Sequence, residues 1–389
     1  MLHGLIELPW WGYVVVALTL THITIASVTI YLHRHSAHRA LDLHPIPAHF
    51  FRFWLWLTTS MGTQQWTAVH RKHHARCETE DDPHSPQMLG ISKVLWEGAE
   101  LYAAAKQDAA MIETFGRGCP DDWIERNLYM PHQNLGILLM LGIDVLLFGP
   151  IGFTVWAVQM IWIPLFAAGV INGIGHFWGY RNFQSDDAST NIVPWGILVG
   201  GEELHNNHHA FASSARLSNR WYEFDIGWFY IRVLEIMGLA SVKKVAPRLK
   251  TGEFKLNCDQ ATLQAVITHR STVLQEFARD IKATCAAELA RLSASQASLN
   301  IRWNTVRRWL KLDKAALPAA EQARVSSALE SSAVLATVQC MREELGQLWA
   351  RSNATSEQLV QQLNDWCHRA EASGIEALAQ FSRRLRCYA

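Results

Sequence analysis

The chain of 389 residues has no lysine or arginine before Arg34, no Cys-x-x-Cys pair among its 7 cysteines, and no net charge, since 35 basic residues balance 35 acidic ones. Each absence excludes something. Without an excess of positive charge there is no electrostatic case for nucleic acid as a partner. Cys77, Cys119, Cys258, Cys285, Cys340, Cys367 and Cys387 fit neither iron–sulfur nor zinc-knuckle spacing and read as reduced thiols. The stretch before Arg34 lacks the basic start of a secretory signal, and Pro9 to Leu32 is too long for its apolar core, so it is expected to stay as a membrane segment. Gly-x-Gly-x-x-Gly and His-Pro-Gly-Gly are missing too, so no resident nicotinamide, flavin or haem site is legible.

A mean hydropathy close to zero conceals two unlike parts. An apolar, tryptophan-rich region gives way near Lys250 to a charged region rich in Ala, Leu and Gln. The expected domains are therefore residues 1–249 in the membrane and a helical cytosolic extension over 250–389. In the extension, 271–292 and 356–388 carry apolar residues at i, i+3 and i+4, the pattern of amphipathic helices, and a structural role is expected.

Three stretches approach the ~20 apolar residues that a spanning helix needs: Trp10 to Leu32, Leu135 to Phe153 and Thr154 to Ile171, the last two joined at GPIGF. Arg34, Arg39, Arg71, Lys72 and Arg76 crowd the region after the first, which places the N-terminus outside and that region in the cytosol. Phe50 to Met61 is shorter and contains Arg52. Were it to cross, His33 and His70 would face opposite sides of the membrane, so it is read as a re-entrant or interfacial helix. Asp144 in the hairpin is expected to hydrogen-bond a neighbouring helix.

Histidine is what the sequence has in plenty, with sixteen of 18 before residue 210. They gather in HRHSAH (His33, His38), HRKHH (His70, His73, His74) and HNNHH (His205, His208, His209). On a helix His-x-x-His-His places i, i+3 and i+4 on one face, where imidazoles converge. Burying so many of them costs free energy that a bound metal would offset. Nitrogen-rich ligation suits zinc, copper, iron or nickel, and this many imidazoles call for two ions. With no cysteine thiolate in the clusters, a redox-active iron pair is favoured over structural zinc. His3, His22, His44, His49, His84 and His132 are expected to ligate nothing.

HRHSAH, HRKHH and HNNHH resemble the three histidine boxes of membrane fatty-acyl desaturases, the stearoyl-CoA desaturase group and its bacterial membrane branch. The resemblance runs from about Val15 to Leu239, and NGIGHFWGYRNF is similar to the family's Asn-x-x-x-His segment. It implies a mainly α, integral membrane desaturase fold with a cytosolic His-rich diiron cap and a C-terminal helical extension. It implies that His33, His38, His70, His73, His74, His176, His205, His208 and His209 ligate two Fe ions, with Asn172 reaching one through water. Arg71 and Asp82 would shape the surrounding loops. The implied reaction is O2-dependent insertion of a cis double bond, Δ9, into a saturated fatty acyl chain, for unsaturated fatty acid synthesis. The implied site faces the cytosol from a bacterial inner membrane. Electrons would come from an external ferredoxin-like or flavoprotein donor; Arg71, Lys72, Lys93, Arg117, Arg126, Arg181, Lys243 and Lys244 would steer it or, equally, meet anionic lipid head groups. Val16 to Ile30 and Phe50 to Met61 would line an apolar tunnel.

Two departures matter. One span precedes the first box where animal desaturases have two. Gly201, Glu202, Glu203 and Leu204 stand where the acyl-CoA enzymes have Gly-Glu-Gly and an aromatic residue. The second change bears on the head group and makes a phospholipid-esterified chain a candidate substrate beside a CoA ester. Glu202 or Glu203 is also a candidate to orient a ligand imidazole. The rival readings are a membrane diiron hydroxylase of alkanes or fatty acyl chains and a non-catalytic metal-binding membrane protein. The chain lacks the Glu-His-x-x-Gly-His-His box of alkane hydroxylases. Its clusters lie beyond the helix ends and not at the bilayer midplane, which argues against a transporter.

Overall fold

A computed structural model of the chain describes residues 4–183, 185, 187–295, 319–349 and 354–389; His3 lies outside them. The chain divides into two units, Met1–Ala246 and Pro247–Ala389, and both are mainly helical.

In the first unit, helix α1 (Trp10–Ser27) continues without a break into π-helical turns over Val28–Ala37. The whole helix Trp10–Ala37 has 28 residues, about 42 Å at 1.5 Å per residue, against about 30 Å of bilayer hydrocarbon. Its last turns therefore extend past a membrane core, and His33 is on them. Helix α2 (Pro45–Thr59) opens with proline in its first turn and the His44 side chain accepting from the Ile46 N–H, and it stops at Ser60, whose φ is 57°. At 15 residues it spans about 22 Å, too short to cross. Arg52 points inward, with 5% exposed, and pairs with Asp122 at 2.6 Å and Glu125 at 2.8 Å. Phe50 and Phe53 point outward from the same helix. Helices α3 (Thr63–Arg76) and α4 (Ile91–Ala105) follow.

The hairpin consists of α5 (Gln133–Phe148) and α6 (Pro150–Trp162), the latter prolonged by π-helical turns over Ile163–Ile171. The sequence reading carried the first arm to Phe153. The break falls earlier because Gly149 adopts φ 66° and Pro150 supplies the first residue of the next helix. Pro150–Ile174 is long and apolar enough to cross a membrane, as is Trp10–Ala37, whereas Gln133–Phe148 is shorter. Asp144 is buried and accepts from Gln159 Nε2 at 2.8 Å, so it does bond to the neighbouring helix.

The second unit contains helices Gln260–Thr268, Arg270–Ser295, Ala319–Ser331, Ala333–Gln347, Ser356–Ala372 and Glu376–Leu385. Their apolar stripes meet around Phe277, Trp366 and Phe381. The rings of Phe277 and Phe381 stand edge to face at 5.3 Å, and the Trp366 indole donates to the Met341 carbonyl at 2.7 Å.

Candidate metal centre

The nine predicted histidines come together, and they sort into two groups that cut across the sequence motifs. In the first, donor nitrogens of His33, His38, His70, His74 and His208 all lie within 4.8 Å of one another. His208 Nε2 is 3.1 Å from His33 Nε2 and 2.8 Å from His74 Nε2, and His38 Nε2 is 2.8 Å from His70 Nε2. In the second, His176 Nε2 is 3.2 Å from His73 Nε2 and 2.9 Å from His205 Nε2, and the His209 ring centroid is 4.6 Å from that of His176.

Helical geometry explains the sorting. On α3, His70 and His74 are one turn apart and enter the first group, while His73, rotated by about 100° from His74, enters the second. Helix α7 (His205–Ala210) does the reverse. Its i, i+4 pair, His205 and His209, serves the second group and His208 the first. Two His-x-x-His-His helices thus interleave, each giving a pair to one group and a single imidazole to the other.

Carboxylates fix the outer nitrogens. His33 Nδ1 meets Glu202 at 2.8 Å, His73 Nδ1 meets Asp82 at 2.9 Å, His176 Nδ1 meets Glu78 at 2.9 Å and His209 Nδ1 meets Asp187 at 2.8 Å. At His73, His176 and His209 the contact is a hydrogen bond, which assigns the proton to Nδ1 and leaves the Nε2 lone pair pointing inward. Facing lone pairs of this kind, as at His73 and His176, repel unless a cation stands between them. The donor set therefore fits a pair of metal ions.

The electrostatic surroundings agree with that fit. Burial first, and then the neighbouring imidazoles, push His38, His70, His74, His205, His208 and His209 well below the ordinary histidine value, which keeps their lone pairs available. Burial alone would raise Asp82, but its hydrogen bond with His73 outweighs that and holds the carboxyl at about 2. Glu78, Asp187 and Glu202 are likewise held below the usual carboxylate range against the effect of burial, through His176, the Ser189 and Ser185 hydroxyls, and His33 respectively.

Several side chains stand where the sequence did not place them. Cys77, the residue that ends α3, has its Sγ 3.9 Å from His73 Nε2, so a thiol does adjoin the second group, contrary to expectation. It lies there because it follows His73 by one helical turn. His84, expected to stand apart, is buried and stacks on His73 at 4.4 Å, and its Nε2 has no hydrogen-bond partner among the described residues. Glu78 and Asp187 were missed altogether, because their only sequence signal is an acid near a histidine. Glu202 does orient an imidazole. Glu203 instead accepts from the Val199 and Gly201 N–H groups at 3.0 and 3.2 Å. Both acids are thus occupied with the histidines and their loop.

A cavity of about 380 Å³ adjoins the centre, a size typical of small-ligand sites. His70, His84 and Asn172 are on its wall, Tyr102 and Lys106 line it from the α4 region, and Trp156 and Met160 line it from the hairpin. Of the stretches expected to line it, only Thr58 to Met61 do; Phe50 to Leu57 and Val16 to Ile30 do not. That part of α1 is used in packing, with Ala17 and Leu20 set against Phe148 and Val155. Arg71 clamps the loops by donating to the carbonyls of Ser36, Ala37 and Phe115 at 2.7 to 2.9 Å. Of the other basic residues, Arg126 pairs with Asp121 and Lys243 with Asp42.

Comparison with known proteins agrees with this geometry. The chain is 30% identical over 240 residues to Delta-9 acyl-lipid desaturase 1 of Arabidopsis thaliana, covering 60% of this chain and 76% of that one. It is 31% identical over 242 residues to the sn-1 stearoyl-lipid 9-desaturase of Anabaena variabilis, covering 61% and 86%. It is also 31% identical over 240 residues to an acyl-CoA 5-desaturase of Anemone leveillei, covering 60% and 72%. Residues 263–389 match a family model described as a transposase, a likeness confined to the second unit. Residues 8–225, more than half of the chain and all nine clustered histidines, match the fatty acid desaturase model, and the chain belongs to the fatty acid desaturase family.

Proposed function

We propose that this fatty-acyl desaturase is a diiron enzyme that uses O2 to insert a cis double bond, at Δ9, into a saturated acyl chain carried on a membrane lipid. The observation that carries this reading is the two groups of facing histidine nitrogens, four of whose nine rings meet a carboxylate through Nδ1, next to a cavity that reaches the apolar hairpin. The overall change takes one –CH2–CH2– unit, O2, two electrons and two protons to –CH=CH– and two waters. A bound iron pair would supply the oxidising power for removing hydrogens from an unactivated methylene.

The chain itself supplies position and exclusion of water. The carboxylates orient the imidazoles, Trp156 and Met160 line the apolar part of the cavity, and His70 and Asn172 border it where the histidines begin. Asn172, on the cavity wall, would reach an ion through water. The names of two relatives above, acyl-lipid and stearoyl-lipid desaturases, support a lipid-bound substrate; a CoA ester is the alternative. Electrons come from an external ferredoxin-like or flavoprotein donor. We assign the reaction to residues 1–249 and the site to the cytosolic face of a bacterial inner membrane, following the basic residues after α1; residues 250–389 form an extension outside the reaction.

The test compares the esterified fatty acids, by lipid class, of cells expressing the wild type or His208→Ala together with an electron donor. New cis-Δ9 bonds appearing first in phospholipids, and absent with the variant, are expected. First appearance in the acyl-CoA pool would reassign the carrier. Hydroxylated chains, or products that do not depend on His208, would refute the desaturase centre described here.

A further inference from the structure

The two groups of histidines have unequal surroundings. Among the described residues, the first has one carboxylate at ion-pair distance, Glu202 on His33, and the second has three, Glu78, Asp82 and Asp187. The three are interlocked. Asp82 accepts from the Glu78 N–H at 3.0 Å and the His84 N–H at 3.1 Å. Glu78 accepts from the Ser85 hydroxyl at 2.9 Å and the Ala188 N–H at 3.2 Å. Asp187 accepts from the Ser185 hydroxyl at 2.7 Å and from both the hydroxyl and the N–H of Ser189, at 2.5 and 3.0 Å. Glu78 is also one of three non-glycine residues with positive φ among those described, at 62°, a conformation that persists where surroundings enforce it.

A carboxylate hydrogen-bonded to the outer nitrogen makes the inner one a stronger donor, and its charge favours a cation nearby. Three such contacts act on the second group and one on the first. Building on the diiron reading above, we propose that the two metal sites are unequal: the site of His73, His176, His205 and His209 fills first and holds its ion more tightly, with Glu78 and Asp187 as the positioning residues responsible. The first site, whose His70 borders the cavity, is then the weaker one, emptied first when metal is scarce.

The test is an anaerobic titration of the metal-free full chain in detergent with Co(II), read by its visible absorption and by equilibrium dialysis. The wild type is expected to bind two equivalents in two resolved steps. Glu78→Gln and Asp187→Asn are each expected to weaken the tighter step by about 10- to 100-fold and spare the other, whereas Glu202→Gln weakens the looser step. Ser189→Ala, which leaves every carboxylate and histidine in place, is expected to give a smaller loss on the tighter step, so the conclusion does not depend on one variant folding. Two equal steps in the wild type, or Glu78→Gln and Glu202→Gln acting on the same step, would overturn the inequality while leaving the two-metal centre intact. A wild type that fails to reach two equivalents would overturn the centre and the inequality with it.

Discussion

The backbone N–H of His38 donates to the His33 carbonyl at 3.1 Å, closing a π-helical turn that sets the two rings edge to face at 4.7 Å. In an α-helix residues five apart point about 140° away from each other. The wider turn is what lets a His-x-x-x-x-His spacing serve one site, an arrangement in keeping with the tendency of π-turns to occur at functional positions.

That geometry can be tested by inserting one alanine after Ala37, which takes the two histidines off a common face in either kind of turn. Downstream, Leu41–Leu43 is paired with Ala240–Val242, which anchors the chain after the turn. Upstream, α1 is anchored in the hairpin packing. Adding one residue between the two anchors would turn His38 away from His70, now 2.8 Å distant. The expected result is loss of about one of two metal equivalents per chain, measured by metal analysis, with helix content by circular dichroism unchanged. Full metal content would show that the π-turn is not needed.

Arg34 lies between these histidines in sequence but faces the opposite way. It donates to Asp225 at 2.9 and 3.2 Å and to the Gly200 and Ala215 carbonyls at 2.9 Å each, and both side chains are almost completely buried. Asp225→Asn would leave the guanidinium buried without its counter-charge, at a cost of about 3–5 kcal/mol. A marked fall in the thermal midpoint of the purified chain is expected, with much of it regained when Arg34→Met is added. If the double variant is as unstable as the single one, the uncompensated charge is not the cause.

Much of the centre was legible in the sequence because imidazoles at helical spacing carry their geometry with them. The family and the clustering of the nine histidines came from HRHSAH, HRKHH, HNNHH and the His176 segment. The partition of each box between two sites was not legible, since i, i+3 and i+4 share one broad face and only the facing helix decides which nitrogen goes where. Glu78 and Asp187 escaped for another reason. Acidic residues are common, and nothing in sequence distance tells Asp187 that His209 is its partner. The cavity walls were half right, because the same apolar composition serves packing in α1 and lining in the hairpin.

Gly98 and Gly169 allow α4 and the turns before Asn172 to pack backbone against backbone. A Cβ on Gly169 would lie 2.4 Å from the Leu95 carbonyl oxygen, and one on Gly98 would lie 2.4 Å from that of Ala168. Both segments line the cavity, through Ala99 and Tyr102 on one side and Ala168 and Asn172 on the other. Gly169→Ala therefore forces them apart, costing about 1–3 kcal/mol. Shifting the cavity wall by about 1 Å is expected to lower desaturation about 100-fold. Gas chromatography of fatty acid methyl esters from expressing cells would show this, and unchanged product would mean that the contact has slack.

The buried imidazoles also set how the metal-free chain responds to pH. Burial holds His38, His70, His74, His205, His208 and His209 well below 6.5, their value when unfolded. Between the depressed folded values and 6.5 the unfolded chain binds more protons, so stability rises with pH in that window. It is complete above about pH 6.5 and is lost as pH falls below it, each histidine adding up to about 1.4 kcal/mol per pH unit. The thermal midpoint of metal-free protein is thus expected to be flat from pH 8 to 7 and to fall steeply toward pH 5. His208→Gln, which removes one titrating ring and keeps a polar side chain, should make the fall shallower. A midpoint independent of pH between 7 and 5 would mean that these rings are reached by water in the metal-free state, and that the cluster is held together only by its ions.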